Sequence, residues 1–449
     1  MDPAAIDMPL VHRTARIRLR VTRHQADRCY GLMRSAGDLW AWLLDTNRER
    51  LEQGAAPIVG YQALCRQLTA RGPAGELSAV GARSVLGRYS DAWYTAAKRR
   101  RKGERAGFPR RKRLLVPVRF HHQTFRLEGQ RVRLPVARGH PALWVRLARP
   151  LPYPADQVRA VTLVADGGRL WLAVTAAVPV HQHDLDPGRL AGVDLGIIHP
   201  FAVVAEQEGL LVSGRAIRAE SFLHLRDLQT RQAKAARRAP KPGQHGSRRW
   251  RRYRASRRRI ESRHRRRVHQ AHHQAASHVV DFAVRHRIGV LVVGDPTGIT
   301  AQDTGRVHNL RLRQWRRTHL LQALRDKAER AGIDVRLVDE RGTSSTCPAC
   351  RRRVPKPSGR RFRCSACTFH GHRDLVGAAN IAALLGGIVP ARRDRRRHLH
   401  DQRRRQRSCL ASGHPDGHQG SSGCRSSYAT TDPASGEDQA TKPNRANIA

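Results

Sequence analysis

The chain is poor in acid. It has 36 Asp and Glu against 85 Lys and Arg, a formal net charge of +49 over 449 residues. So one-sided a field suits a polyanion, with Arg and Lys neutralising phosphates. Long apolar runs are also missing. No stretch of about 20 apolar residues occurs, which excludes a membrane-spanning helix. The N-terminal MDPAAIDMPLVHRTARIRLR lacks the apolar core of a signal peptide, so residence in the cytoplasm is expected. Thiols stay reduced there. Cys29, Cys65, Cys409 and Cys424 show no pairing pattern and read as core or tail residues.

The other four cysteines do have a pattern. Cys347 and Cys350 form one C-x-x-C pair and Cys364 and Cys367 another, thirteen residues apart. Two such pairs fold around one tetrahedral Zn²⁺, each giving two thiolates from a tight turn. Asp374 follows seven residues after the last cysteine and opens an alanine-rich apolar helix.

Periodicity divides the rest. Thr14 to Val21 alternates as a half-buried strand. Helices are expected over Gln25 to Gln53, Tyr61 to Arg71 and Leu77 to Arg101. Strands are expected over Arg131 to Val136, Leu143 to Leu147, Val158 to Val164 and Leu170 to Val178, with Asp166-Gly167-Gly168 turning the last two into a hairpin. With the first strand they would close a small β-barrel, and residues of about 25–110 would be a helical insertion in it. A linker is expected at Asp186-Pro187-Gly188.

The second half reads as a mixed α/β sheet. Its strands are Leu190 to Asp194, a hairpin of Pro200 to Ala205 and Leu210 to Ser213 turning at Glu208-Gly209, Ile288 to Val293, and Ile333 to Val338. Helical sequence fills Leu223 to Arg285, broken at Pro240 to Gly246, and Leu310 to Ala331. The chain is thus expected as a multidomain α/β protein: barrel with insertion over 10–187, mixed sheet with a zinc ribbon (341–372) over 188–390, and a disordered basic tail over 391–449.

Two basic stretches are candidates for nucleic-acid contact. One is the corner after the third helix, where Gly107-Phe108-Pro109 breaks the chain and Arg110, Arg111 and Lys112 crowd the exit. The other is the helix carrying Arg248, Arg249, Trp250, Arg251, Arg252, Tyr253, Arg257 and Arg258. Along a phosphate backbone that helix would be neutralised, and its aromatics could stack on bases or on Arg. The bland alternative for the first is a solvated charge run. The nearby His264, His269, His272 and His273 lack a thiolate or carboxylate partner in the sequence, so they read as no metal site.

In so basic a chain, acids at strand ends stand out. Asp194 closes a buried strand, where a carboxylate is costly unless it binds something such as a divalent cation. Asp374 could cap its helix or join Asp194 on a metal. A two-metal nuclease site holds its ions about 3.5–4 Å apart and needs more than two acids.

The order of elements, together with GVDLGI at 192–197, GFPRRK at 107–112, Trp315, TSSTCPAC at 343–350, CSAC at 364–367 and RDLVGAANI at 373–381, resembles the zinc-ribbon OrfB or TnpB proteins of bacterial insertion sequences, relatives of the type V CRISPR effectors. The resemblance covers residues 10–390. It implies a wedge barrel with a helical domain, then an RNase H-like (RuvC) domain interrupted by the ribbon. It further implies RNA-guided, Mg²⁺-dependent cleavage of double-stranded DNA, with Asp194 and Asp374 as the first and last catalytic acids. The chain departs from that family at the middle acid, a Glu expected where Gly294 stands. Three explanations stay open. Glu340 substitutes from the next strand, with Gly294 leaving room for it. Asp295 substitutes from the next position. Or the site is inactive, and the chain is an RNA-guided binder or a guide-free zinc-ribbon protein. Apart from catalysis, Glu340 could simply pair with Arg341 at the surface. Val376 is a second departure, where that family has Asn.

Overall fold

The computed structural model describes residues 9–110, 114–206, 208–295, 305, 309, 315–355 and 359–387. Among them no helix is long and apolar enough to cross a membrane.

Strand β1 (Leu10–Arg20) buries Val11, Ile17 and Leu19. Thr22 then starts α1 (Arg23–Glu52) with a capping box: its hydroxyl accepts from the Gln25 N–H at 3.2 Å, and the Gln25 side chain accepts from the Thr22 N–H at 2.9 Å. Leu32, Met33, Ala36, Leu39 and Leu43 line its buried face. Helices α2 (Tyr61–Arg71) and α3 (Ala79–Arg101) follow. Buried Tyr89 of α3 takes a hydrogen bond from Asn47 at 2.9 Å, so α1 and α3 are pinned by a satisfied polar pair.

Strands β2 (Val118–His121), β3 (Arg126–Glu128), β4 (Arg131–Leu134), β5 (Leu143–Leu147), β6 (Val158–Asp166) and β7 (Arg169–Pro179) join β1 in one antiparallel sheet, ordered β2-β6-β7-β1-β5-β4-β3. The β6–β7 turn is the expected one: Gly167 and Gly168 sit at φ 62° and 73°, which glycine adopts without strain. No ladder joins β2 to β3 among the described residues, so the expected barrel is here a seven-stranded sheet with two edges. Helices α1–α3 fall between β1 and β2 in the chain and share one core with this sheet.

The second half contains β8 (Asp186–Asp194), β9 (Ala202–Ala205), β10 (Glu208–Leu211), α4 (Arg215–Arg237), α5 (Arg248–Arg285), β11 (Ile288–Asp295), α6 (Arg317–Arg330), β12 (Asp334–Asp339), β13 (Arg361–Arg363), β14 (His370–His372) and α7 (Arg373–Ala383). Its sheet is ordered β10-β9-β8-β11-β12, with β8, β11 and β12 parallel. β11, nearly all apolar, lies inside the sheet between β8 and β12 and is covered on both faces. The ends of α5 and α6 pack on one face, and α7 on the other. α7 sits against β8 because residue 192 is glycine: a Cβ there would collide with the Ala378 carbonyl.

Three expectations are corrected. Asp186-Pro187-Gly188 is no linker but the start of β8, where Asp186 pairs with Ile288. Glu208-Gly209 is no turn but part of β10, paired with Ala205 and Val204, and Glu206 at φ 42° lies in the turn instead. The helix expected from Leu310 begins at Arg317, and 310–314 lie outside the described residues. So does the whole expected tail, 391–449.

Candidate active site and zinc cluster

β8 and β11 run parallel with Val193 opposite Val293, so Asp194 ends β8 beside Gly294, one residue short of the end of β11. β12 continues the register, with Val338 opposite Gly294, and Glu340 comes just past its end. A Cβ at Gly294 would collide with Glu340 Oε2 and lie 3.0 Å from Glu340 Cβ and 2.8 Å from Ile381 Cδ1. The Glu340 side chain therefore lies across the space that a side chain at 294 would fill. It makes no ion pair with Arg341, which lies 3.7 Å from Asp339 instead. Glu340 Oε2 is buried without a hydrogen-bond partner among the described residues. Such an atom is costly unless a cation or donor meets it.

Asp194, Asp295, Glu340 and Asp374 line one cleft of about 1350 Å³. Burial pushes the Asp194 carboxyl up to about 8, and the charges of Glu340 and then Asp374 push the same way. Burial likewise lifts Glu340 to about 7, followed by the charges of Asp295 and Asp339. Asp295 bears on Glu340, whereas the acids that bear on Asp194 are Glu340 and Asp374.

Asp374 is not a helix cap. His372 holds that place, its Nδ1 accepting from the Asp374 N–H at 3.3 Å. The Asp374 carboxylate meets His199 Nδ1 at 2.8 Å and accepts from Arg360 Nη1 at 2.8 and 3.0 Å. Burial alone would raise its pKa. The His199 hydrogen bond and the Arg360 charge outweigh that and hold it below the usual carboxylate range. Gly377, one turn on, leaves room for Asp194, whose Oδ2 would lie 3.0 Å from a Cβ there.

The four cysteine sulfurs lie within 4.8 Å of one another. Cys347 and Cys367 are 3.7 Å apart and Cys350 and Cys364 3.6 Å. A tetrahedron with Zn–S bonds of about 2.3 Å has edges of about 3.8 Å, so the set fits zinc. Around it Val354, Phe362, Phe369 and Val376 form a small core. Val376 thus faces the ribbon core, where an Asn would be buried among apolar groups. Asn380 ties α7 to the root of the ribbon, donating to the Thr343 and Thr346 carbonyls at 2.7 and 2.8 Å.

The basic helix is less free than its sequence suggests. Arg248, Arg249, Arg251, Arg252 and Arg258 are exposed, and Arg257 is half-buried. Tyr253 is a prop rather than an open stacking platform: its hydroxyl donates to the Arg231 carbonyl of α4 at 2.7 Å, under the Arg238 guanidinium. The Arg254 guanidinium lies over Trp250, 5.8 Å from its ring centroid. Further along, Ser262 and Arg265 each donate to Asp166 at 2.7 Å, fastening α5 to the β6–β7 turn. His264 does have a carboxylate neighbour, Glu220 at 3.3 Å, and stacks on His224. Even so, no metal-type cluster forms there among the described residues. At the first corner Phe108 stacks on Trp93 at 4.5 Å and Arg110 is exposed, while Arg111 and Lys112 lie outside the described residues.

The sequence reading missed His199, His372, Arg360 and Asn380. For His199 the one signal is its nearness to GVDLGI. Arg360 is one of many arginines, and only the ribbon's folding brings it to Asp374.

Two stretches of the chain match known families. Residues 173–300 match the OrfB_IS605 family, described as probable transposase, and residues 318–381 match the Cas12f1-like TNB domain. A curated relative, the CRISPR-associated endodeoxyribonuclease Cas12f1 of Sulfoacidibacillus thermotolerans, is 33% identical over 115 residues, 24% of this chain. The match spans about a quarter (25%) of that relative's length. In fold, the chain is similar to the protein in a Cas12f1–sgRNA–target DNA complex, with a TM-score of 0.60, 13% identity and coverage of 83% of this chain and 99% of that one.

Two outcomes follow from this geometry. Cys350→Ser, or chelation of zinc, removes one corner of the ribbon's core, so the melting temperature falls and any activity carried by Glu340 and Asp374 falls with it. An unchanged melting temperature on chelation would contradict the zinc assignment. Separately, Asp194 and Glu340 both have raised pKa values, so the metal-free fold takes up protons. Their contribution is fully present below the unfolded carboxylate pKa of about 4 and is lost as pH rises through about 7 to 8. In chelator, thermal melting should therefore drop more steeply over that rise in wild type than in Asp194→Asn.

Proposed function

We propose that the chain is an RNA-guided, Mg²⁺-dependent DNA endonuclease of transposon origin, acting in the cytoplasm on double-stranded DNA. Its nuclease domain is RuvC-like and spans 188–390, preceded by a wedge-type domain with helical insertion over 10–187. The observation that carries this reading is Glu340 filling the space vacated at Gly294, with a buried carboxylate oxygen that has no hydrogen-bond partner among the described residues.

Asp194, Glu340 and Asp374 are the residues that would hold the catalytic Mg²⁺. An all-oxygen set of three carboxylates suits that hard cation. When bound, the metal supplies positive charge that lowers the pKa of water and stabilises a leaving phosphate oxygen. The chain's own part is placement. β8 fixes Asp194, the end of β12 fixes Glu340, and the first turn of α7 fixes Asp374 through His199 and Arg360. The zinc ribbon joins the last two of these segments. The exposed arginines of α5, with Arg110, offer phosphate contacts for guide RNA and target DNA.

The test is to purify the protein with its bound RNA, sequence that RNA, and supply a matched DNA duplex in Mg²⁺. Cleavage is expected, and Asp194→Ala and Glu340→Ala should each reduce it by more than about a hundredfold, beyond the usual cost of an outer-sphere partner. The double variant Gly294→Glu with Glu340→Ala should recover part of what Glu340→Ala loses. Normal cutting by Glu340→Ala would sink the relocated glutamate. No cutting by the wild type would leave an RNA-guided binding protein, and no discrete bound RNA would leave a guide-free one.

A further inference from the structure

We infer that His199, His372 and Asp374 form a binding site for a transition-metal dication of the Mn²⁺, Co²⁺ or Zn²⁺ class, and that Arg360 competes with the metal for Asp374. The inference stands whether or not the acids cut DNA, because it concerns binding at a second donor set that shares only Asp374 with them.

Three chain segments converge on this point. His199 comes from the loop between β8 and β9, His372 ends β14, and Asp374 opens α7. One ligand atom from each lies within 4.8 Å of the others. His199 Nδ1 is already 2.8 Å from Asp374 Oδ2, and the two imidazole rings meet edge to face with centroids 5.2 Å apart. The His199 loop is closely packed: the His199 carbonyl would lie 2.7 Å from a Cβ at residue 196, which is glycine. Metal–ligand bonds of about 2.1 Å need only small side-chain closure from these positions.

The donor types set the metal class. Two imidazoles and one carboxylate suit borderline transition-metal ions, whereas Mg²⁺ prefers oxygen and water. The set also leaves coordination positions open. The four cysteines are a different site, with all-sulfur donors suited to structural zinc.

Arg360 is the rival. Its guanidinium spans both Asp374 oxygens, yet its side chain is 43% exposed and so free to turn into solvent. Its backbone stays anchored meanwhile, the Arg360 carbonyl accepting from the Arg373 N–H at 2.9 Å. A dication bound at Asp374 and the Arg360 guanidinium draw on the same carboxylate, so each weakens the other's hold on it. Removing the guanidinium should thus favour the metal by removing both the competitor and a like charge.

The full-length protein is loaded with one Zn²⁺ per chain to fill the ribbon, then titrated with Co²⁺, following the visible absorption of nitrogen-ligated cobalt. Wild type should bind one further Co²⁺ with such a band. His199→Gln and His372→Gln should each weaken that binding about tenfold or more. Arg360→Gln should tighten it, a gain that a misfolded variant would not give. Binding unaffected by both histidine substitutions, or weakened by Arg360→Gln, would overturn the inference. Failure of the nuclease assignment would appear in DNA cleavage and leave the cobalt band untouched.

Discussion

A glutamate past the end of β12 can reach the end of β11 only if residue 294 has no side chain. That steric condition organises the centre of the second half. Glycine at 294 clears the space, Glu340 fills it, and Ile381 of α7 closes one side. The result is a buried acid beside Asp194, two carboxyls whose protons are held well above their usual range. Like charges crowded out of water are unfavourable unless a cation neutralises them. Below pH about 7 the metal-free fold keeps them by holding their protons. The acids are thus poised for a metal at a cost in stability that the metal would offset.

The zinc ribbon belongs to the same constraint. It leaves the sheet directly after Glu340 and returns directly before Asp374, so its geometry sets the separation of the two. Val376 reaches from α7 into the ribbon's core, and Asn380 binds the ribbon's first turn. Arg360, carried by the ribbon, reaches back to Asp374. Zinc held by the four cysteines would therefore act on the acidic cleft through packing and hydrogen bonds.

Much of this was legible in the sequence, for identifiable reasons. C-x-x-C spacing is strict because two thiolates on one ion need one tight turn, so the cluster could be named from spacing alone. The helices α1 to α3 followed from apolar periodicity, and the β6–β7 turn from Asp-Gly-Gly. Errors fell where tertiary contact overrides local preference. Asp186-Pro187-Gly188 looks like a linker, but edge pairing with Ile288 and Arg287 draws it into β8. Asp374 looks like a cap, yet His372 takes that role and frees its carboxylate for His199 and Arg360. Tyr253 looks like a stacking platform, and only the α4–α5 packing shows that its hydroxyl is engaged. Arg360 could not be singled out from 85 basic residues without the fold.

The central claim is that Glu340 shares a cation with Asp194 and Asp374. Anomalous diffraction from crystals of the zinc-loaded protein in Mn²⁺ reads this directly. An anomalous peak is expected with oxygens of Glu340, Asp194 and Asp374 at bonding distance. A peak held by Asp194 and Asp295, with Glu340 turned away from it, would rule out the relocated glutamate.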